Sequence, residues 1–227
     1  MIEPGPISRS TVSALEPDGR AWFRGLLPAP ELSMLDVTCA TQGAPGARLE
    51  WKAEIAQALS RVTQVARELL PGAKPVRLVA FDKSAETNWG LPWHQDRVVA
   101  LHERVEAPGF SNWTRKAGVW HAEPPPGVME DMIFARVHLD PADEASGCLK
   151  LALGSHRAGR IAEDDIGDVV AAATQEACVA ARGDVLFAKA LILHRSRPSQ
   201  SGAARRALRI DYSAVTLPLP VRWAVAD

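Results

Sequence analysis

From residue 76 onward the chain is a series of short apolar or alternating runs, each closed by turn-forming residues, and this punctuation constrains the fold more than any other feature. The runs are Val76–Phe81, Met132–Leu139, Cys148–Leu153, Cys178–Ala181, Val185–His194 and Ala207–Val215. Asp140-Pro141, Ser146-Gly147, Gly154-Ser155, Gly183-Asp184 and Pro198–Gly202 separate them. Runs this short cannot bury a helical stripe, but they suit strands that hide one or both faces. The N-terminal part differs. Trp51, Ile55, Leu59, Val62, Ala66 and Leu69 recur at three- to four-residue steps, which predicts an amphipathic helix over residues 50–70 stopped by Pro71-Gly72. Further helices are expected around Pro17–Leu27 and over Asp164–Gln175. Many short strands after N-terminal helices predict a mainly β jelly roll with helices packed on one sheet.

At 227 residues the chain fits one all-β domain, with a largely helical part at 1–75, a core at 76–216 and a lid-like insertion at 101–131. A formal net charge of −1 gives no reason to expect a nucleic-acid partner or an anionic membrane, although Arg205, Arg206 and Arg209 cluster locally. Cys39, Cys148 and Cys178 are scattered without a Cys-x-x-Cys spacing, which argues against a thiolate metal site and a disulfide scaffold. Met1–Thr11 has no apolar segment, and no stretch is apolar for long enough to span a bilayer. The expectation is a soluble, cytoplasmic protein of a reducing compartment; oligomeric state is open.

The chemistry concentrates at Trp93-His94-Gln95-Asp96. Residues i and i+2 of a strand share a face, so His94 and Asp96 can offer an imidazole and a carboxylate to one ion. A histidine from another strand would complete a set of two histidines and one carboxylate, which leaves three iron positions open. The spacing alone is weak, and His138-Leu139-Asp140 repeats it. There Asp140 precedes Pro141 in a turn and is better placed to cap the strand end, leaving His138 as a structural or pocket-lining residue. The third ligand is sought at His194, where the apolar run Val185–Leu193 ends. A hairpin after the turn Pro198–Gly202 would bring Arg205 beside it, and a guanidinium grips a carboxylate with two parallel bonds. Arg206 and Arg209 compete for this role. Arg206 shares the side of Leu208, Ile210 and Tyr212, whereas Arg205 and Arg209 lie with the small Ala207; Arg205 is preferred. Ser196 shares the face of His194 and could bind the same carboxylate.

These residues resemble the phytanoyl-CoA dioxygenase-like branch of the 2-oxoglutarate oxygenases. The matching segments are Phe81-Asp82-Lys83, Trp93-His94-Gln95-Asp96, Gly147-Cys148-Leu149, Gly154-Ser155-His156, Gly183-Asp184 and His194-x-Ser196 followed by Arg205-Arg206, and they span about residues 79–213. The resemblance implies a double-stranded β-helix, a cupin-like barrel. It implies iron(II) on His94, Asp96 and His194, and 2-oxoglutarate on Arg205 with help from Ser196. Gln95 and Arg136 are further co-substrate candidates. An arginine at 136 departs from the aromatic residue of better-known members and offers a second anion contact. The implied activity is an O2-consuming dioxygenase that hydroxylates or otherwise oxidises a small or medium organic metabolite, releasing succinate and CO2. Halogenases of this kind lack the carboxylate, so Asp96 points away from halogenation. His156 is expected to be structural.

Two other readings compete: a cupin-type metal enzyme that uses no 2-oxo acid, and a barrel that holds metal without turnover. Arg205 favours the co-substrate reading over both. Substrate choice is expected to reside in the irregular 101–131 segment, where Trp113, Trp120, His121 and Pro124–Pro126 suggest an ordered lid.

Overall fold

A computed structural model describes residues 15–40, 45–84, 87–200, 202 and 204–225, so Met1–Thr11 and part of the turn Pro198–Gly202 lie outside the described residues. In chain order the strands are β1 (Arg20–Phe23), β2 (Pro45–Arg48), β3 (Lys74–Lys83), β4 (Leu91–His94), β5 (Val99–Leu101), β6 (Ser111–Lys116), β7 (Val119–Glu123), β8 (Met132–His138), β9 (Leu149–Ala152), β10 (Gln175–Ala177), β11 (Val185–Lys189), β12 (His194–Ser196) and β13 (Arg205–Ser213). The helices are α1 (Ala29–Thr38), α2 (Ala53–Ala58), α3 (Ser60–Leu69) and α4 (Ile166–Ala172).

The strands make a six-stranded sheet in the order β1-β11-β8-β13-β3-β2 facing a four-stranded sheet in the order β10-β9-β12-β4. This is the expected double-stranded β-helix. Side-chain alternation explains how the large sheet serves two environments. Ile133, Ala135 and Val137 of β8 and Leu208, Ile210 and Tyr212 of β13 face the helical layer, where they pack with Leu59 and Val62. Each aliphatic side chain buried there contributes about 1.5–3 kcal/mol. The opposite face of the same strands points between the sheets, where Phe134 and Leu186 meet Leu149 and Leu151 of the small sheet. Arg136 and His138 alternate with Phe134, and Arg209 stands directly across from Arg136. The interior of the barrel is therefore apolar at one level and charged at another.

The structure corrects several boundaries. Of the expected Pro17–Leu27 helix only Pro17 and Asp18 are helical, as the end of a turn over residues 15–18; Arg20–Phe23 is a strand paired with β11. Gly19 makes the switch at φ 79°, and a Cβ there would meet His156 Nδ1 at 2.4 Å. That contact, with His156 Nε2 donating to the Glu16 carbonyl at 3.1 Å, gives His156 its structural role. The helix over 50–70 is two helices broken at the buried Leu59. The Val185–His194 run is not one strand: β11 stays in the large sheet, and buried residues 190–193 carry the chain across to β12. The run hides the crossing because every residue in it before His194 is apolar apart from Lys189. Cys178–Ala181 follows β10 rather than forming a strand and contributes the bridge Ala142–Ala180.

The 101–131 segment is more regular than its sequence suggests. It contributes to a three-stranded sheet in the order β5-β7-β6. The β6–β7 turn places Ala117 at φ 47° and Gly118 at φ 83°, the two positive values of a type I′ hairpin. Alanine in the first of those positions removes the usual Asn-Gly signal. Among the described residues no helix is long and apolar enough to cross a membrane.

Candidate metal centre

β4 and β12 are neighbours in the small sheet, and His94 pairs directly with His194 in their register. The two rings lie 4.3 Å apart between centroids. Each ring is oriented in the same way. Nδ1 of His94 donates to the Pro92 carbonyl at 2.8 Å, and Nδ1 of His194 donates to the Ile192 carbonyl at 2.9 Å. A carbonyl only accepts, so both Nε2 atoms are left as bare donors toward a metal. Asp96 lies just past the end of β4, with Oδ2 3.8 Å from His194 Nε2. The candidate ligand atoms of the three residues all lie within 4.8 Å of one another. Burial alone would raise the Asp96 carboxyl, but Arg209 and then His194 hold it well below the usual range. Burial pushes His194 down to about 4. A carboxylate and neutral imidazoles are the forms that bind a divalent ion, so the donor set fits iron(II).

β13 lies in the opposite sheet and pairs with β3 and β8, so Arg205 does not reach His194 through a hairpin. The chain crosses between sheets at this turn. Arg205 is 4% exposed and sits directly opposite Lys83 in the register. Lys83 is 1% exposed and donates to the Arg197 carbonyl at 2.7 Å. Arg136 completes the group, its guanidinium 5.3 Å from the Phe81 ring centre. Burial first, and then the other cations, push Lys83 down to about 8 and Arg136 down to about 9. Among the described residues no carboxylate pairs with any of the three, and Nε of both Arg136 and Arg205 is buried without a hydrogen-bond partner. Buried cations without counter-ions are costly, so this pocket fits a carboxylate-bearing ligand such as 2-oxoglutarate.

Arg206 is spoken for. It grips Asp140 through Nε at 2.9 Å and Nη2 at 2.7 Å, and Nη1 lies 3.0 Å from Asp36. Asp140 thus ties the strand end to β13, as its turn position suggests, and is no metal ligand. Gln95, a co-substrate candidate from its place in the motif, turns its amide to the backbone. Its amide donates to the Gly159 and Leu191 carbonyls at 2.8 and 2.6 Å and accepts from the Ile161 amide at 2.8 Å, which makes it a strut beneath Asp96. Ser196 lies with Gly147 and Cys148 in a small cavity and makes no hydrogen bond to Arg205.

His138 stacks on Trp22 and lies with Nδ1 3.2 Å from the Asp184 carbonyl. Burial, with Arg136 nearby, pushes it down to about 3, and burial pushes His121 down to about 4. Folding therefore stabilises their neutral forms. That stability is fully present above the unfolded value near 6.5 and is lost as pH falls toward 4. At pH 5 each histidine is expected to withdraw about 2 kcal/mol relative to pH 7.5. Urea unfolding of the metal-free protein at the two pH values measures this, and equal midpoints would refute it.

Motif spacing does not reveal the place of Lys83 in this pocket or the partnership of Arg209 with Asp96. The available signal was alternation: Arg205, Ala207, Arg209 and Asp211 occupy one face of a strand whose other face is, beyond Arg206, the apolar set Leu208, Ile210 and Tyr212. Charges repeated on the inner face of a core strand mark a polar interior.

Sequence comparison with curated proteins gives no match. Among solved structures, the carbocyclase SnoK of nogalamycin biosynthesis, described as a non-heme α-ketoglutarate-dependent enzyme, superposes with a TM-score of 0.67 at 15% identity, over 92% of this chain and 84% of its own. EctD from S. alaskensis, solved with bound Fe, gives 0.68 at 16% identity over 94% and 79%. HygX from Streptomyces hygroscopicus, solved with nickel, 2-oxoglutarate and hygromycin B, gives 0.62 at 13% identity over 91% and 87%. These likenesses establish the fold. The sequence profile of the phytanoyl-CoA dioxygenase family matches residues 35–207, a span that contains both histidines, Asp96 and Arg205. The chain therefore belongs to the phytanoyl-CoA dioxygenase (PhyH) family.

Proposed function

We propose that this protein is an iron(II)- and 2-oxoglutarate-dependent oxygenase acting on a small or medium organic molecule. The observation that carries the reading is the adjacency of two clusters: the candidate ligand atoms of His94, Asp96 and His194 converge, and the buried cations Lys83, Arg136 and Arg205 lie together with no carboxylate paired to them among the described residues. One chelated 2-oxo dicarboxylate suits both clusters. His94, Asp96 and His194 would hold the metal. Arg205 would bind the distal carboxylate, with Arg136 and Lys83 beside it and Ser196 at the cavity rim. When bound, iron(II), 2-oxoglutarate and O2 supply the oxidation of a substrate C–H bond with release of succinate and CO2.

The chain's own contribution is placement and a dry interior. A small pocket opens beside Asp96, lined in part by Pro124, Pro125, Pro126, Met129 and Leu191. Arg160 at its edge is already paired with Glu123 at 2.5 Å, so the walls offer mainly apolar contact. The proline run of the 101–131 segment thus stands where substrate would enter, whereas Trp113 packs within the small three-stranded sheet. Hydroxylation or another oxidation, rather than halogenation, is the outcome we assign, on the strength of Asp96 as a protein ligand.

The test is succinate formation. Protein loaded with iron(II) should convert 2-oxoglutarate to succinate slowly even without substrate, and the conversion should stop when iron or oxygen is withheld. Bound iron with no succinate would favour a non-catalytic barrel.

A further inference from the structure

Asp96 is the one candidate ligand that the sheets do not fix, since it follows the last residue of β4 and has no strand partner. Its orientation comes from elsewhere. Arg209 Nη2 lies 2.6 Å from Asp96 Oδ2, the same oxygen that faces His194. Arg209 is itself held by two further contacts. Its Nε donates to Asp211 Oδ1 at 2.7 Å, and its guanidinium lies 4.1 Å over the Phe134 ring. Asp211 Oδ2 in turn accepts from Arg77 Nε at 2.5 Å. The side chains of Arg77, Arg209 and Asp211 are each 9% exposed or less. The result is a buried chain of alternating charge, Arg77–Asp211–Arg209–Asp96, that runs along the inner face of β3 and β13 and ends at the candidate metal ligand.

We propose that Arg209 is a positioning residue for the metal centre, fixing Asp96 so that it offers the ion a single oxygen. The inference rests on the metal-centre reading above. A carboxylate oxygen has room for two partners, and a guanidinium occupying one side of Oδ2 leaves the other for the metal. Chelation by both oxygens would consume a position that a 2-oxo acid and O2 require. The guanidinium also draws electron density from the carboxylate, making Asp96 a weaker donor. Arginine suits the task because its planar fork serves Asp211 and Asp96 at once, which a lysine ammonium on a flexible stem cannot do with the same geometry.

Charge and positioning predict opposite results, which makes the idea testable. By Coulomb's law alone, deleting a cation beside a metal site tightens metal binding. If Arg209 positions Asp96, deleting it loosens binding by about 10–100-fold, the range for groups that orient metal ligands. The probe is Co(II) added to metal-free protein, followed by its visible ligand-field absorption. Arg209→Met is expected to bind Co(II) about 10–100-fold more weakly than wild type and with an altered band shape. Arg209→Lys, which keeps the charge, should also bind more weakly and recover only part of the loss. Asp211→Asn should weaken binding in the same direction, because it frees Arg209, and it serves if Arg209→Met does not fold. Co(II) binding that is unchanged or tighter in the folded variants overturns the proposal while leaving the metal centre intact. Failure of the wild type to bind Co(II) overturns both. Normal Co(II) binding by the wild type without 2-oxoglutarate-dependent chemistry overturns the functional reading alone.

Discussion

Replacing His94 by alanine is expected to abolish metal-dependent turnover while leaving the fold in place. His94 is partly exposed at the end of β4, and its one hydrogen bond, to the Pro92 carbonyl, lies within its own strand. Its loss therefore costs little packing. Its Nε2 is one of only two imidazole donors in the candidate centre. Removing a ligand outright should exceed the ~10–100-fold effect of removing an outer partner of a ligand, so a loss of at least about 1000-fold in iron(II) affinity is expected. Asp96→Ala should do the same and in addition leave Arg209 short of its carboxylate. Equilibrium dialysis against iron(II) under anaerobic conditions, with circular dichroism to confirm the fold, checks this. Wild-type affinity in either variant would remove these residues from the site.

Arg205→Ala should act on the co-substrate instead. Arg205 is buried, faces Lys83, and has an unpartnered Nε inside the barrel. Truncating one member of a buried charge pair typically costs about 2–4 kcal/mol, so the Michaelis constant for 2-oxoglutarate should rise roughly 30- to 1000-fold. Iron(II) affinity in the absence of 2-oxoglutarate should change little, because none of the metal ligands touches Arg205. Arg206→Ala is the contrasting control. Its guanidinium joins Asp140 to Asp36 on the helical side, so it should cost roughly 1 kcal/mol of stability and leave the co-substrate constant unchanged. If Arg206→Ala raised that constant and Arg205→Ala did not, the assignment of the pocket would be reversed.

These contrasts show which parts of the structure were legible in the sequence. Strand faces were, because a period of two is local: Leu208, Ile210 and Tyr212 against the helices, and Arg205 and Arg209 inward, follow from alternation alone. The identity of the two histidines was carried by motif order. Strand partners were not legible, because pairing is decided by contacts distant in sequence. The hairpin expected between His194 and Arg205 is a crossing from one sheet to the other, and the apolar Val185–Leu193 run conceals a second crossing. Gln95 was drawn into the site by its place in the motif, but the backbone groups that claim its amide come from residues 159, 161 and 191. The chain Arg77–Asp211–Arg209–Asp96 was hidden for the same reason. Its members come from three separate segments and meet only when β3 and β13 pair.

If one pocket holds both the metal and a 2-oxo acid, the two ligands bind iron(II) together. The most direct measurement is an anaerobic titration of metal-free protein with iron(II) and 2-oxoglutarate, followed in the visible range. Chelation of iron(II) by the 2-oxo acid gives a weak charge-transfer band that neither component gives alone. The band is expected in the wild type, absent in His94→Ala and Asp96→Ala, and dependent on a higher 2-oxoglutarate concentration in Arg205→Ala. A wild type with no band, or a band of equal strength in the ligand variants, would contradict a shared pocket.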